Sequence, residues 1–462
     1  MHFRKFILGA IALVVAASPT AWAEPYPSTY TALDSGPVLI TNATILTGTG
    51  ERIENGSLLM SAGRIEKIAA ADARLDAGGA AVIDAGGRWV TPGLIDVHSH
   101  LGVYPSPGIK AHSDGNEATA PTTAQVWAEH SVWPQDPGFH RARAGGVTSL
   151  QILPGSANLI GGRGVTLKNV PATTYQSMKF PSAPHGMKMA CGENPKRVYG
   201  EKGQAPSTRM GNVAGYRAQW IEAQRYIQDW EEYEEKSNSK KNDKNGENKR
   251  PVRDLRLETL AGALKGEILV HMHCYRADEM ATILDMADEF GYRVSAFHHG
   301  VEAYKLADTL ASKGVCGALW ADWWGFKAEA YDGIQENIAL VDRPEGSCAI
   351  VHSDSGEGIQ RLNQEAAKAM TRGRRAGLAI PPERAIKWIT AHPAHSMGIL
   401  DQTGTLEAGK MADVVIWNGN PFSVYAKADQ VFVDGALLYD RTDPAYQPVS
   451  DFELGQQLGA AQ

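Results

Sequence analysis

The chain has 462 residues, 43% of them hydrophobic and 21% charged, with a formal net charge of −7. This is the composition of a globular protein, and the length suits one large barrel plus a minor domain. Mild acidity and the lack of a basic stripe interleaved with aromatics exclude a nucleic-acid-binding surface.

Residues 1–23 read as a secretory signal: Arg4 and Lys5, the apolar stretch Ile7 to Ala17, Pro19, then the small-x-small site Ala21-Trp22-Ala23. The apolar stretch is too short for a spanning anchor, and no later one reaches that length. An exported, periplasmic or secreted protein is therefore expected, beginning with a polar leader at 24–36. Over 37–90, short apolar runs such as Val38-Leu39-Ile40 and Ala43 to Leu46 are broken by Gly, Asn and Asp. That pattern predicts a small antiparallel β unit.

From 91 to 399 strand-like runs alternate with helical stretches. The predicted strands are Gly93–Val97, Val147–Leu153, Gly186–Ala190, Ile268–His271, Arg293–Phe297 and Cys348–His352. Helical periodicity marks Gln219–Tyr233, Ala277–Phe290 and Ala303–Ser312. Repeated β-then-α units imply a parallel sheet. Glu231–Arg250 is nearly devoid of apolar residues and reads as a solvated or disordered insertion. From 400 to 446 β text returns, at Gly404–Lys410, Asp413–Trp417 and Gln430–Gly435, and is expected to pair with the first β unit. A tail follows at 447–462. The four cysteines (Cys191, Cys274, Cys316, Cys348) form no CxxC and read as free buried thiols, although export would permit disulfides.

The strongest motif is Pro92-Gly93-Leu94-Ile95-Asp96-Val97-His98-Ser99-His100. Residues two apart on a strand share a face, so both imidazoles can point together from the strand's C-terminal end. Barrel enzymes place their sites there, and neutral imidazole is a common ligand for zinc and related metals.

With this motif, GENPKR at Gly192–Arg197, HSDSG at His352–Gly356 and TAHPAHSMGILDQTGTLEAGKMADVVIW at Thr390–Trp417, the chain resembles the amidohydrolase superfamily. The likeness is to its imidazolonepropionase-like and Xaa-Pro-dipeptidase-like branch. It implies an α/β fold: a distorted (β/α)8 TIM barrel with a small β-sandwich formed from both termini. It also implies a divalent-metal centre, with two zinc ions expected. The family's ligands fall on His98 and His100, on His271 in Val270-His271-Met272-His273, on His299 in Phe297-His298-His299-Gly300, and on Asp354. Asp354 is also the expected catalytic proton carrier. Successive strand residues face opposite sides, so His298 and His299 are not both expected to point inward. His273 and His298 then read as core or supporting histidines, and His352 as a layer below the metals. His112, His130, His140 and His185 read as surface or packing residues.

The family often carries a carbamylated lysine on its fourth strand, bridging two metals. Lys188 and Glu193 both suit an anionic bridge, with the reading leaning to Glu193, nearer the strand's C-terminal end. The glycine-rich run Gly155–Gly164 lacks a phosphate-binding pattern and reads as a flexible barrel loop, with Arg163 either a clamp for a substrate carboxylate or, equally, a member of a structural ion pair. Trp320, Trp323 and Trp324 are candidates for a pocket wall.

The expected activity is metal-dependent hydrolysis of an amide-type C–N bond in a small molecule, such as a dipeptide or N-acyl amino acid. A cyclic amide or imidazolone hydrolase is the alternative. A deaminase of the same superfamily is weaker, because Cys274 stands where those enzymes carry a glutamate three residues after the fifth-strand histidine. A non-catalytic periplasmic binding protein is the rival of another class, opposed by the presence of all five ligand positions. The pattern leaves homo-oligomer formation open.

Overall fold

A computed structural model describes residues 26–73, 75–238 and 248–447. The signal segment 1–23 and the C-terminal tail beyond 447 lie outside the described residues, as does the middle of the polar insertion, 239–247. Among the described residues, no helix is long and apolar enough to cross a membrane.

Two eight-stranded sheets carry the fold. The first draws on both ends of the chain: β1 (Val38–Leu46), β2 (Arg52–Ser61), β3 (Arg64–Ala69), β4 (Ala81–Asp84) and β5 (Trp89–Pro92) precede the barrel. The second sheet is the barrel wall: β6 (Leu94–Ser99), β7 (Val147–Ile152), β8 (Ile160–Lys168), β9 (Gly186–Ala190), β10 (Leu269–Cys274), β11 (Val294–His299), β12 (Cys316–Leu319) and β13 (Ala349–Val351). The chain then returns to the first sheet with β14 (Val414–Trp417), β15 (Ala428–Val433) and β16 (Ala436–Asp440). The seam between the two halves of that sheet is the antiparallel pair of β14 and β5. The sandwich-and-barrel architecture is thus the one the motifs implied.

Three features distort the barrel. First, β8 runs antiparallel to both neighbours. The expected flexible loop at Gly155–Gly164 is in part this strand. Its glycines weaken strand propensity, but hydrogen bonds to both flanks hold it. Second, the motif glycine Gly93 is required by close approach: a Cβ there would lie 2.0 Å from Thr148 Oγ1 on β7. Third, β6 and β13 do not pair as a ladder. The buried Asp96 closes the seam, accepting from the Ser353 hydroxyl and from the Ser353 N–H at 3.3 Å, while the Asp354 N–H reaches His98 O at 3.1 Å.

Two further expectations are corrected. No described cysteine is free: Cys191 pairs with Cys274 and Cys316 with Cys348. Each bridge joins adjacent parallel strands, β9 to β10 and β12 to β13, a proximity that sequence spacing does not reveal. The polar stretch from Glu231 begins inside a long helix, Arg209–Asn238, because its Glu and Lys residues are good helix formers on an exposed face. Near the C-terminus, Gly404–Lys410 is loop, and only Val414 onward forms strand.

Candidate metal centre

The site sits at the C-terminal ends of the barrel strands. His98 is fully buried, with its Nδ1 2.8 Å from His298 Nδ1 and its Nε2 3.3 Å from His100 Nε2. His100 Nδ1 donates to Leu153 O at 2.8 Å, which fixes its tautomer and leaves a lone pair on Nε2. Asp354 Oδ1 approaches the same point, 3.2 Å from His100 Nε2 and 3.5 Å from His98 Nε2. Two acceptors and a third nitrogen therefore converge on one small volume. Such a volume favours a positive species, a proton or a cation.

A second group lies alongside. Ligand atoms of His98, His299 and His352 all fall within 4.8 Å of one another, as do those of His98, His100 and Asp354. His299 Nδ1 is 3.8 Å from Asp354 Oδ2, so the carboxylate spans the two groups. Burial, together with neighbouring cations and imidazoles, holds His98, His273, His298 and His299 well below the ordinary imidazole range. Burial likewise takes His271 down to about 3 and His352 to about 4. All are neutral near pH 7, the form that ligates metal. Burial would raise Asp354, but its surroundings, His100 first and then His352 and Lys188, hold it below the usual carboxylate range.

Whether these residues fit a cation can be judged from their unused nitrogens. His271 Nε2, His299 Nδ1 and both ring nitrogens of His273 and His352 are buried without a hydrogen-bond partner. An unsatisfied buried polar atom costs roughly 1–3 kcal/mol, and native interiors contain few of them. A divalent metal accounts for those of His299 and His352, beside Asp354 and the other converging donors, and the donor set fits it. His98, His100, His299, His352 and Asp354 are the residues placed to hold it.

His271, expected as a ligand, lies in neither group. It is tied through its Nδ1 to His298 Nε2 at 2.9 Å, so His298 bridges His98 and His271. Three neutral imidazoles carry three ring protons, and two of them occupy these contacts. The third sits on an outer nitrogen, so only one of His98 and His271 offers a free Nε2 lone pair in this arrangement. His98, which faces the acceptors, is the one placed to use it.

His298 and His299 both project into the site, contrary to the alternation expected of a strand. His299 has φ 72°, in the left-handed region, which turns its ring inward beside that of His298. Asp354 shares this conformation at φ 48°. Non-glycine residues pay a strain cost there, and such strain is concentrated at functional sites.

The fourth-strand alternatives separate cleanly. Lys188 is fully buried, with Nζ 3.5 Å from His98 Nε2 and 3.1 Å from Pro154 O, and burial lowers it to about 8. Glu193 opens the next helix and faces Lys327 at 3.6 Å. Of the two, Lys188 is the one placed in contact with His98. Arg163 is also outside the site. It aligns with Met187, on the opposite face from Gly162 and Lys188, stacks 4.1 Å over Trp127 and donates to Thr259 Oγ1 at 2.9 Å. The residues that motifs missed are His273, His298 and His352 as members of one cluster. Their positions on inward-facing strand ends were the available signal.

Comparison with known proteins agrees with this geometry. A model described as amidohydrolase family matches residues 350–439. A crystal structure of an amidohydrolase from Thermotoga maritima superimposes with a TM-score of 0.79 at 33% identity, covering 87% of this chain and 100% of that one. Amidohydrolase tasK of Hapsidospora irregularis is 33% identical over 88% of this chain, which spans only 44% of that protein's length. Imidazolonepropionase of Mesorhizobium japonicum is 24% identical over 74% of this chain and 80% of its own.

Proposed function

Because this chain belongs to the amidohydrolase family, we propose that it is an exported metal-dependent hydrolase of a small amide, a dipeptide or N-acyl amino acid, of the imidazolonepropionase-like and prolidase-like branch. The carrying observation is the convergence of His98 Nε2, His100 Nε2 and Asp354 Oδ1 beside buried, unpartnered imidazole nitrogens. When bound, a divalent cation such as zinc polarises the amide carbonyl and makes water acidic near neutral pH. His98, His100, His299, His352 and Asp354 would hold it. Lys188, if its free amine added CO2 and released a proton, would supply a carbamate as a further anionic group to hold metal. Burial favours that free amine.

The chain's own work is proton transfer and positioning. Asp354, ionised and adjacent to three imidazoles, accepts a proton from the attacking water and returns it to the leaving nitrogen. His298 orients the rings of His98 and His271. The disulfide at Cys274 removes that position from any acid–base role and opposes the deaminase reading. Two disulfides suit an oxidising compartment, which supports export to the periplasm or beyond. A cyclic amide is the second reading, favoured by the imidazolonepropionase relative.

The test is a screen of zinc-loaded protein against dipeptides and N-acyl amino acids, with cyclic amides as a parallel set. Turnover of the linear amides that is lost on chelation and restored by zinc is expected. Turnover of cyclic amides alone would replace the dipeptidase reading with the second one.

A further inference from the structure

A cavity of about 330 Å³ opens directly beside His299 and is lined by His299, Trp320, Trp323, Trp324, Ile334 and Gln335, among others. Its aromatic members are ordered as a stack. Trp320 lies on His299 with ring centroids 4.3 Å apart and planes at 28°, and Trp323 lies on Trp320 at 4.9 Å and 17°. The stack thus runs from a candidate metal ligand outward to Trp323, which is 43% exposed. Trp324, also exposed, is held by its indole N–H to Tyr331 O at 2.6 Å.

The polar groups of this cavity are largely spent. Asp322 is answered by Lys368, whose Nζ lies 3.0 Å from both carboxylate oxygens. Asn337 donates to Gly300 O and Val301 O and accepts from the Tyr304 N–H. What remains is Gln335 and the buried Trp320 Nε1–H, which has no partner. Large aromatics left facing water mark a binding surface, and the cavity falls within the range of small-molecule sites. With its charge already neutralised, and with the outer face of Trp323 and the edge of Trp320 on offer, the slot matches a neutral ring by stacking. Because it shares His299 with the candidate centre, an occupant of the slot reaches the reacting amide.

We propose that the substrate carries, on one side of its scissile amide, a neutral aromatic ring that enters this slot against the outer face of Trp323 and the edge of Trp320. The proposal rests on the amide-hydrolysis reading for the position of the scissile bond. A protein partner docking on the same aromatics is the competing class. It is disfavoured because the slot ends at the candidate centre.

The experiment compares Gly-Phe with Gly-Ala, and N-acetyl-phenylalanine with N-acetyl-alanine, in two arms. In the first, kcat/KM is measured on the zinc-loaded protein. The aromatic member should win by at least about tenfold, equivalent to about 1.4 kcal/mol, and Trp323→Ala should bring the ratio close to one. In the second, binding of each pair to the Asp354→Asn protein is measured by calorimetry, where the same ratio should appear without turnover. Turnover without an aromatic preference overturns the proposal and leaves the amide reading intact. An aromatic binding preference that is lost in Trp323→Ala, with no turnover of any amide, keeps the slot and defeats the amide reading. Neither turnover nor differential binding defeats both, and leaves the aromatics to a protein partner.

Discussion

Two buried polar clusters in this molecule differ in one respect. Between the barrel and the terminal sheet, Lys168 is fully buried, and its Nζ donates to Asp413 at 2.9 and 3.0 Å and to Asp434 at 3.0 Å. Thr403 and the Asp434 N–H complete Asp413, and the Tyr30 hydroxyl completes Asp434. No atom of that network lacks a partner. At the barrel mouth, by contrast, imidazole nitrogens are buried and unpartnered. A satisfied network explains itself as a structural fastening, since every desolvated group is repaid in place. An unsatisfied one that gathers imidazole nitrogens around a carboxylate offers a cation a place. The same chemistry of burial thus separates fastening from function.

That contrast can be broken by substitution, because damage at one cluster should spare what the other provides. Asp354→Asn is expected to lower kcat by about 10²–10⁴-fold, the range for a lost general base. Its thermal midpoint should stay close to wild type, as measured by circular dichroism beside the assay. Lys168→Met is expected to do the reverse. It leaves Asp413 and Asp434 buried without their cation, at about 3–5 kcal/mol, read by urea denaturation, while bound metal per folded molecule is unchanged. Replacing Cys191 and Cys274 together by Ala should cost about 2–4 kcal/mol. Those residues fasten the strand ends beside Lys188 and His273, so this pair sharpens the comparison by loosening the site's support without touching its donors. The smallest effect is expected for His273→Phe in metal-free protein, a change within about 1 kcal/mol or a gain, since two unpartnered nitrogens disappear. A loss of several kcal/mol there would mean that the histidine cluster is itself a fastening.

Much of this was legible in the sequence where local periodicity governs. The pair His98 and His100 followed from the two-residue repeat of a strand, and the β text at both ends forecast a shared sheet. The failures fall where geometry departs from repeat. His298 and His299 were not both expected inward because alternation was assumed, and the left-handed φ of 72° at His299 breaks it. The strand β8 was read as loop because its glycines mask a ladder supplied by both neighbours. The disulfides depend on which strands lie side by side, which spacing does not encode. Arg163 was left between a substrate clamp and a structural role, and the pleat of β8, which turns it to the outer face, favours the structural one. Lys188 and Glu193 could be separated only once β9 had a direction and an end.

The central claim is that the unpartnered barrel cluster is a metal site. Elemental analysis of protein purified without chelator tests it most directly, run beside His98→Ala and Lys168→Met. The account predicts bound divalent metal in the wild type, retention in Lys168→Met and loss in His98→Ala, with activity following the metal. Full activity in exhaustively chelated, metal-free wild type would contradict it, as would undiminished metal in His98→Ala.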